Sequence, residues 1–176
     1  NDASATSVGT IDSSGRANTT AGFSIVSYTG TGSAGTIKHG LSAAPEMLIV
    51  KNRDTARDWM VYHSALGATK RIWLNYTYGE DSGTAASATW NDTAPTSTVF
   101  SIGTNTHVND SGDDHIVYCF HSVEGYSKVG SYTGTGSSSG TAGPYVHLGF
   151  RPAWVMLKRT DSTGSWWILD SARDPF

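Results

Sequence analysis

The sequence predicts an all-β domain, a β-sandwich or jelly-roll-like fold with an internally duplicated hairpin unit. Three observations carry that expectation. First, the chain repeats itself: YTGTGS begins at Tyr28 and again at Tyr132, downstream of Gly22 and Gly125 respectively. At a constant offset of 107, Pro45 recurs as Pro152, Lys51 as Lys158, Asp54 as Asp161, Trp59 as Trp166, and Ser64-Ala65 as Ser171-Ala172. Compositional bias repeats Gly, Ser and Thr but not the spacing of Pro, Lys, Asp and Trp, so the match marks one supersecondary unit used twice. Second, 20 Gly in 176 residues, with 15% charged and 11% aromatic residues, suit short strands joined by many turns and exclude the disordered class. Third, no window sustains an i, i+3, i+4, i+7 apolar pattern over a helix length.

Each element follows from local chemistry. Residues 1–21 are mostly Ser, Thr, Ala, Gly and Asp and read as an extended arm or linker, leaving 22–176 as the domain, with related units at 22–67 and 125–176. The first strand spans 23–28, rich in β-branched and aromatic residues. The glycine-rich run 29–36 turns the chain, and 36–40 begins the return strand. Pro45 cannot donate to a ladder and suits a strand entrance. The apolar run 47–51 that follows reads as a strand buried between two layers. A polar turn at 52–58 leads to its partner at 59–63, and the second unit repeats this hairpin as 154–158, 159–164 and 165–170. Further strands are expected at 70–75, 98–102 and 115–121, the last joined to 104–108 by a tight acidic turn, NDSGDD, at 109–114. Helix is confined to single turns at 54–57 or 64–67, and the equivalent Trp59 and Trp166 are expected in the core.

A net charge of -3 provides no electrostatic reason to bind nucleic acid or an anionic membrane, and the longest apolar runs are too short to span a bilayer. The single cysteine, Cys119, cannot form an internal disulfide and reads as a small buried hydrophobe. The second unit reaches Phe176 soon after its Ser171-Ala172 pair, whereas the first continues well past Ser64-Ala65, so the chain is expected to be a piece of a longer polypeptide.

No catalytic, metal or cofactor site is read. The acids at 109–114 resemble oxygen ligands for Ca²⁺ but lack the EF-hand order, and a tight turn accounts for them. His115, Cys119 and His121 fall on one face of a strand, without the second cysteine or the turn-borne ligands usual for zinc. The glutamates Glu46, Glu80 and Glu124 sit at strand ends or turns rather than in an acid motif. The glycine runs lack the Lys-Ser/Thr pair of a phosphate loop. The aromatics are more informative: with six Trp and eight Tyr, the chain clusters Trp73, Tyr76, Tyr78 and Trp90 around the polar loop NYTYGEDSGT, where rings suit a glycan or protein contact.

Five segments, GFSIVSYTGTGS, HGLSAAPEMLIVKNRDTARDWMVYHSALG, WNDTAPTSTVFSIGTN, VYCFHSVEGYSKVGSYTGTGS and GFRPAWVMLKRTDSTGSWWILDSARDP, occur here in order. Together they resemble a β-rich domain of tail-fibre and other virion proteins of marine, cyanophage-type bacteriophages. The resemblance covers residues 22–176 and brings no catalytic residues with it. It implies a virion structural protein, a module of a tail fibre or capsid-attached appendage at the extracellular virion surface. Its expected partners are other copies of itself, other virion proteins and host surface glycans. A carbohydrate-binding adhesin domain and a fibre-borne glycan hydrolase are the alternatives.

Overall fold

The computed structural model describes residues 2–136 and 142–173. The repeat offset grows from 104 at YTGTGS to 107 at Pro152, which places three extra residues in the second glycine-rich turn; residues 137–141 of that turn fall outside the described range. In chain order the elements are α1 (Ala3–Thr6), β1 (Ser13–Asn18), β2 (Phe23–Thr29), β3 (Gly35–Lys38), β4 (Met47–Asn52), β5 (Met60–His63) and β6 (Ile72–Trp73). These are followed by α2 (Thr84–Trp90), β7 (Val99–Ile102), α3 (Thr106–Asn109), β8 (Asp114–Phe120), β9 (Trp154–Lys158) and β10 (Trp166–Asp170). The fold is all-β, as expected, with every strand pair antiparallel.

Alternation in DHIVYCF turns His115, Val117 and Cys119 of β8 to one face, where all three are buried. β8 pairs β2 along one edge and β4 along the other, giving the sheet order β1-β2-β8-β4-β5-β6. A ribbon of β3 and β7, with α2 and α3, lies against the buried face. Ile37, Phe100, Trp90 and Val108 from this layer join Leu48, Val50, Met60 and Val117 of the sheet in one core cluster. Tyr28 links the layers: its hydroxyl donates to the Val108 carbonyl at 2.6 Å and its ring stacks on His115 at 5.1 Å.

Several expectations are corrected. The supposed arm supplies β1, and Ala3 and Ile11 are buried. Its Ser13, Gly15 and Ala17 lie opposite Tyr28, Val26 and Ser24. Backbone pairing rather than apolar side chains holds this strand, so it leaves no hydrophobic period. At Gly15 a Cβ would lie 2.4 Å from the Ile25 carbonyl oxygen, which restricts the position to glycine. The strand after the first glycine run does not return along β2. It crosses to the second layer and pairs β7, Ile37 opposite Phe100. Only Ile72–Trp73 of the 70–75 strand forms. Residues 104–108 are not a strand either; Asn105 caps α3, accepting from the His107 N–H at 3.0 Å. No helix forms at 54–57, where the Asn52 carboxamide accepts from the N–H groups of Asp54 and Thr55 in an Asx turn, and residues 64–66 make a turn. The seven residues of α2, burying Ala86, Thr89 and Trp90, are too few for a readable period. Trp59 and Trp166 are half-buried; the core tryptophan is Trp90, 1% exposed.

The acidic segment 109–114 clasps the first glycine run. Gly30 N–H donates to the Asp113 carbonyl, Gly112 N–H to that of Gly30, and Gly32 N–H to that of Asn109. The buried Asn109 carboxamide accepts from Thr31 N–H and donates to the Ser33 and Gly103 carbonyls, each at 2.7 Å. A Cβ on Gly30 would come within 2.1 Å of the Asp110 carbonyl oxygen.

The duplicated hairpins keep one register. Met47 pairs His63 and Val50 pairs Met60; shifted by 107, Trp154 pairs Asp170 and Leu157 pairs Trp167. The closing bond from Ser64 N–H to the Glu46 carbonyl recurs from Ser171 N–H to that of Ala153. Surroundings differ: β4 is flanked by β5 and β8, whereas β9 pairs β10 alone. The expected burial of 154–158 is therefore not met, and Trp154 is 54% exposed. The second YTGTG segment makes no strand. Gly136 nonetheless keeps the left-handed backbone of Gly32, at φ 69° against 71°.

Two outcomes follow from this packing. Gly30→Ala forces two backbones apart and should cost about 2–3 kcal/mol in a denaturant titration, while the repeat-equivalent Gly134→Ala, with nothing within 4 Å of its Cβ, should stay within about 0.5 kcal/mol. Equal effects would show that the clasp does not constrain Gly30. Burial holds His39, His63, His107 and His115 below the ordinary value of 6.5, and of these His39 and His115 are the two fully enclosed side chains. His39 accepts from Leu41 N–H at Nδ1 and reaches the Thr96 carbonyl through Nε2, an arrangement that suits the neutral ring. Unfolded histidines bind protons near 6.5 and these folded ones do not, so stability is constant above that pH and falls below it. Each contributes a slope of about 1.4 kcal/mol per pH unit until the folded group titrates. Unfolding curves between pH 7 and 5 should show this fall, flattened by one proton in His39→Gln; stability unchanged over that range would contradict it.

Candidate interaction surface

The aromatic loop follows β6 at the sheet edge. Trp73, half-buried, meets Tyr78 edge-on at 5.7 Å, and Tyr78 stacks on Tyr76 at 5.1 Å with rings 16° apart. Tyr76 and Tyr78 are 41% and 54% exposed. The Arg71 guanidinium sits 5.1 Å from the Trp73 ring centre, and is held there by Asp81 at 2.9 Å and the Thr89 hydroxyl at 3.2 Å. Three of the four expected contact residues are thus brought together. Trp90 is not among them: α2 turns it into the core, edge-on to Tyr62 at 5.7 Å. Its indole N–H finds no acceptor among the described residues.

The second hairpin docks against this loop. Trp166 donates its indole N–H to the Trp73 carbonyl at 2.8 Å. Gly164 N–H and the Lys158 ammonium both reach the Thr77 carbonyl, and Glu80 N–H reaches that of Thr160. Burial lowers the Lys158 pKa while carbonyls of Arg159 and Gly164 take its remaining donors. The loop therefore joins the two repeats before it presents anything outward. Beyond it, β9–β10 exposes Trp154, Trp167, Ile168 and Leu169, a surface that the sequence reading missed by assigning 154–158 to a buried strand.

The remaining candidates serve the fold. Asp110 pairs Arg57 at 2.7 Å, Asp114 accepts from Thr29, and a hydrogen bond from Asn52 holds the Asp113 carboxyl below the usual range. Burial pushes the Cys119 thiol up to about 12, which keeps it protonated. His115 and Cys119 face the core, whereas His121 lies past the end of β8 with Nδ1 against the Ser122 carbonyl. Among the described residues no three His, Cys, Asp or Glu side chains converge as a metal site. The acids beside the rings, Glu80 and Asp81, are engaged by Lys70 and Arg71. A shallow groove of about 370 Å³, lined in part by Asp12, Ser14, Ser27 and Asp114, lies at the opposite end of the sheet. No helix among the described residues is long and apolar enough to cross a membrane.

Fold and surface define an all-β domain in which one hairpin is used twice, buried once and exposed once. The chain belongs to a family described as a domain of unknown function (DUF7483), whose model matches residues 1–176. No curated protein and no solved structure matches it.

Trp90 and Tyr78 should separate core from surface. Trp90→Ala is expected to cost about 3–5 kcal/mol in a denaturant titration, and Trp90→Phe far less because the indole N–H is unpaired. Tyr78→Ala should lie within about 1 kcal/mol. A larger loss for Tyr78 would make its ring structural.

Proposed function

We propose that the chain is a virion structural protein, a module of a phage tail fibre or capsid-attached appendage at the extracellular virion surface. It works there with other copies of itself and with other virion proteins in assembly, host-surface contact, or both. The observation that carries this reading is the second hairpin. Its register matches a core hairpin, yet Trp154 of β9 and Trp167, Ile168 and Leu169 of β10 stand 46–63% exposed, and among the described residues the two strands pair only with each other. An apolar surface and open edge of this kind suit a protein contact. The resemblance to virion proteins supports the same reading. It involves no catalysis, cofactor, nucleic acid or membrane insertion.

A specific observation favours one second reading, a carbohydrate-binding adhesin domain. The stacked Tyr76 and Tyr78 pair at the sheet edge offers a ring face of the kind on which sugars pack. Host glycans would then be the ligand of an appendage rather than of an isolated lectin. A fibre-borne glycan hydrolase receives less support, because the acids nearest the rings are committed to Lys70 and Arg71.

Immunogold electron microscopy of cyanophage particles, with antiserum raised against this chain, tests the first reading. Labelling of fibres or other appendages is expected. Antigen confined to infected-cell lysate, with unlabelled particles, would overturn it. On a glycan array, signal that disappears in Tyr78→Ala would move the function to the adhesin.

A further inference from the structure

A line of hydrogen bonds runs from the helical layer to the root of the aromatic loop, and His107 is its middle joint. At the helical end the Asn105 carboxamide donates through Nδ2 to the Ala85 carbonyl of α2 at 3.0 Å, and its Oδ1 accepts from the His107 backbone N–H at 3.0 Å. The same Oδ1 lies 3.0 Å from Nδ1 of the His107 ring. Across the ring, Nε2 lies 3.2 Å from Oδ2 of Asp58. The other oxygen of that carboxylate accepts from Asn75 Nδ2 at 2.9 Å, while Asn75 Oδ1 accepts from the Trp59 N–H at 3.1 Å. Asn75 immediately precedes Tyr76, the first of the two stacked rings.

Counting donors exposes a conflict at the joint. Turning the Asn105 carboxamide over would set its amide against the His107 N–H and its oxygen against the Ala85 carbonyl, so Oδ1 faces the ring as an acceptor. The Asp58 carboxylate is an acceptor as well. Both ring nitrogens therefore face acceptors, whereas a neutral imidazole carries one N–H. Only the imidazolium satisfies both contacts. In the neutral ring, whichever nitrogen holds the proton, the other sets a lone pair against an oxygen, and the line is broken at Asn105 or at Asp58.

The charges around the ring decide when the second proton arrives. Asp58 is the carboxylate in contact with it, and the guanidinium groups of Arg71 and Arg57 are the cations that act on it. Each arginine is held by an acid of its own, Asp81 and Asp110 respectively. Burial holds the ring below its ordinary value of 6.5; the bond to Asp58 opposes this, and the two arginines add to it. The His107 and Asp58 side chains are 26% and 27% exposed, so protons reach them without unfolding.

From these contacts we infer that His107 is a pH-operated latch. On protonation it closes the line from α2 to Asn75 and fixes the root of the loop that carries Tyr76 and Tyr78; on deprotonation it releases that root. The aromatic surface is then ordered in mild acid and loosened at neutral pH. Any ligand seated on the two rings loses less ordering entropy in acid than at neutral pH, so the latch serves a fibre module and an adhesin alike.

Nuclear magnetic resonance of the full chain from about pH 8 to about pH 5 tests the latch. The His107 ring signal, identified by its absence in His107→Gln, should titrate below 6.5, and the Tyr76 and Tyr78 ring signals should shift with the same midpoint. Asp58→Asn should lower the His107 midpoint by at least about one pH unit, because the ring loses the carboxylate that favours its charge. Asn75→Ala, at an exposed position, should leave the His107 midpoint in place and abolish the tyrosine shift. Circular dichroism confirms that each variant folds, and the wild-type titration with Asn75→Ala decides the matter should Asp58→Asn unfold. Tyrosine signals that stay still in the wild type, or that move equally in His107→Gln or Asn75→Ala, overturn the latch. An unchanged His107 midpoint in folded Asp58→Asn does so too, since the ring would then not be donating to that carboxylate.

Discussion

The constraint on which this fold depends is the insertion of β8 between β2 and β4. Those strands come much earlier in the chain, and neither touches the other along an edge; β8 satisfies the backbone of both at once. It also brings along the segment before it, so that 109–114 locks onto the first glycine run and Val108 meets the Tyr28 hydroxyl. The two layers are thereby tied together through one stretch of sequence. Contacts spanning so many residues require the loop entropy of most of the chain to be lost before they form, which places this domain among the slower-folding topologies.

Much of the sheet was legible because its strands carry period-two alternation of β-branched and aromatic residues. The register of both hairpins was implicit in the offset of 107. What failed to read is equally physical. β1 is held by backbone pairing and small side chains, so composition alone suggested a linker. α2 completes two turns and buries residues only three and four apart, below the length at which helical period separates from noise. The glycine run looked like a hairpin turn, but its glycines serve a close approach to Asp110, which no local pattern reveals. At the surface, the clustering of Trp73, Tyr76 and Tyr78 was visible from the loop between them. The burial of Trp90 was not, since its orientation follows from the helix that was missed.

The two hairpins show how far local sequence determines structure and where it stops. Equivalent residues yield the same pairing, the same closing hydrogen bond and the same lysine contact, Lys51 to the Asn52 carbonyl and Lys158 to that of Arg159. Burial is another matter. Leu48 and Val50 are hidden because β8 and the second layer are present, and Trp167 and Leu169 are open because nothing equivalent among the described residues reaches them. A hairpin is a local object, and a core is a property of what surrounds it.

Cys119 sits mid-way along β8, with no exposed surface and a thiol that burial keeps protonated. Its side chain faces the core between the sheet and the second layer, so it is uncovered only when those layers part or β8 leaves the sheet. The molecule thus carries an internal clock for its own rarest opening. The rate at which a thiol reagent marks that sulfur measures how often the core between the two layers opens.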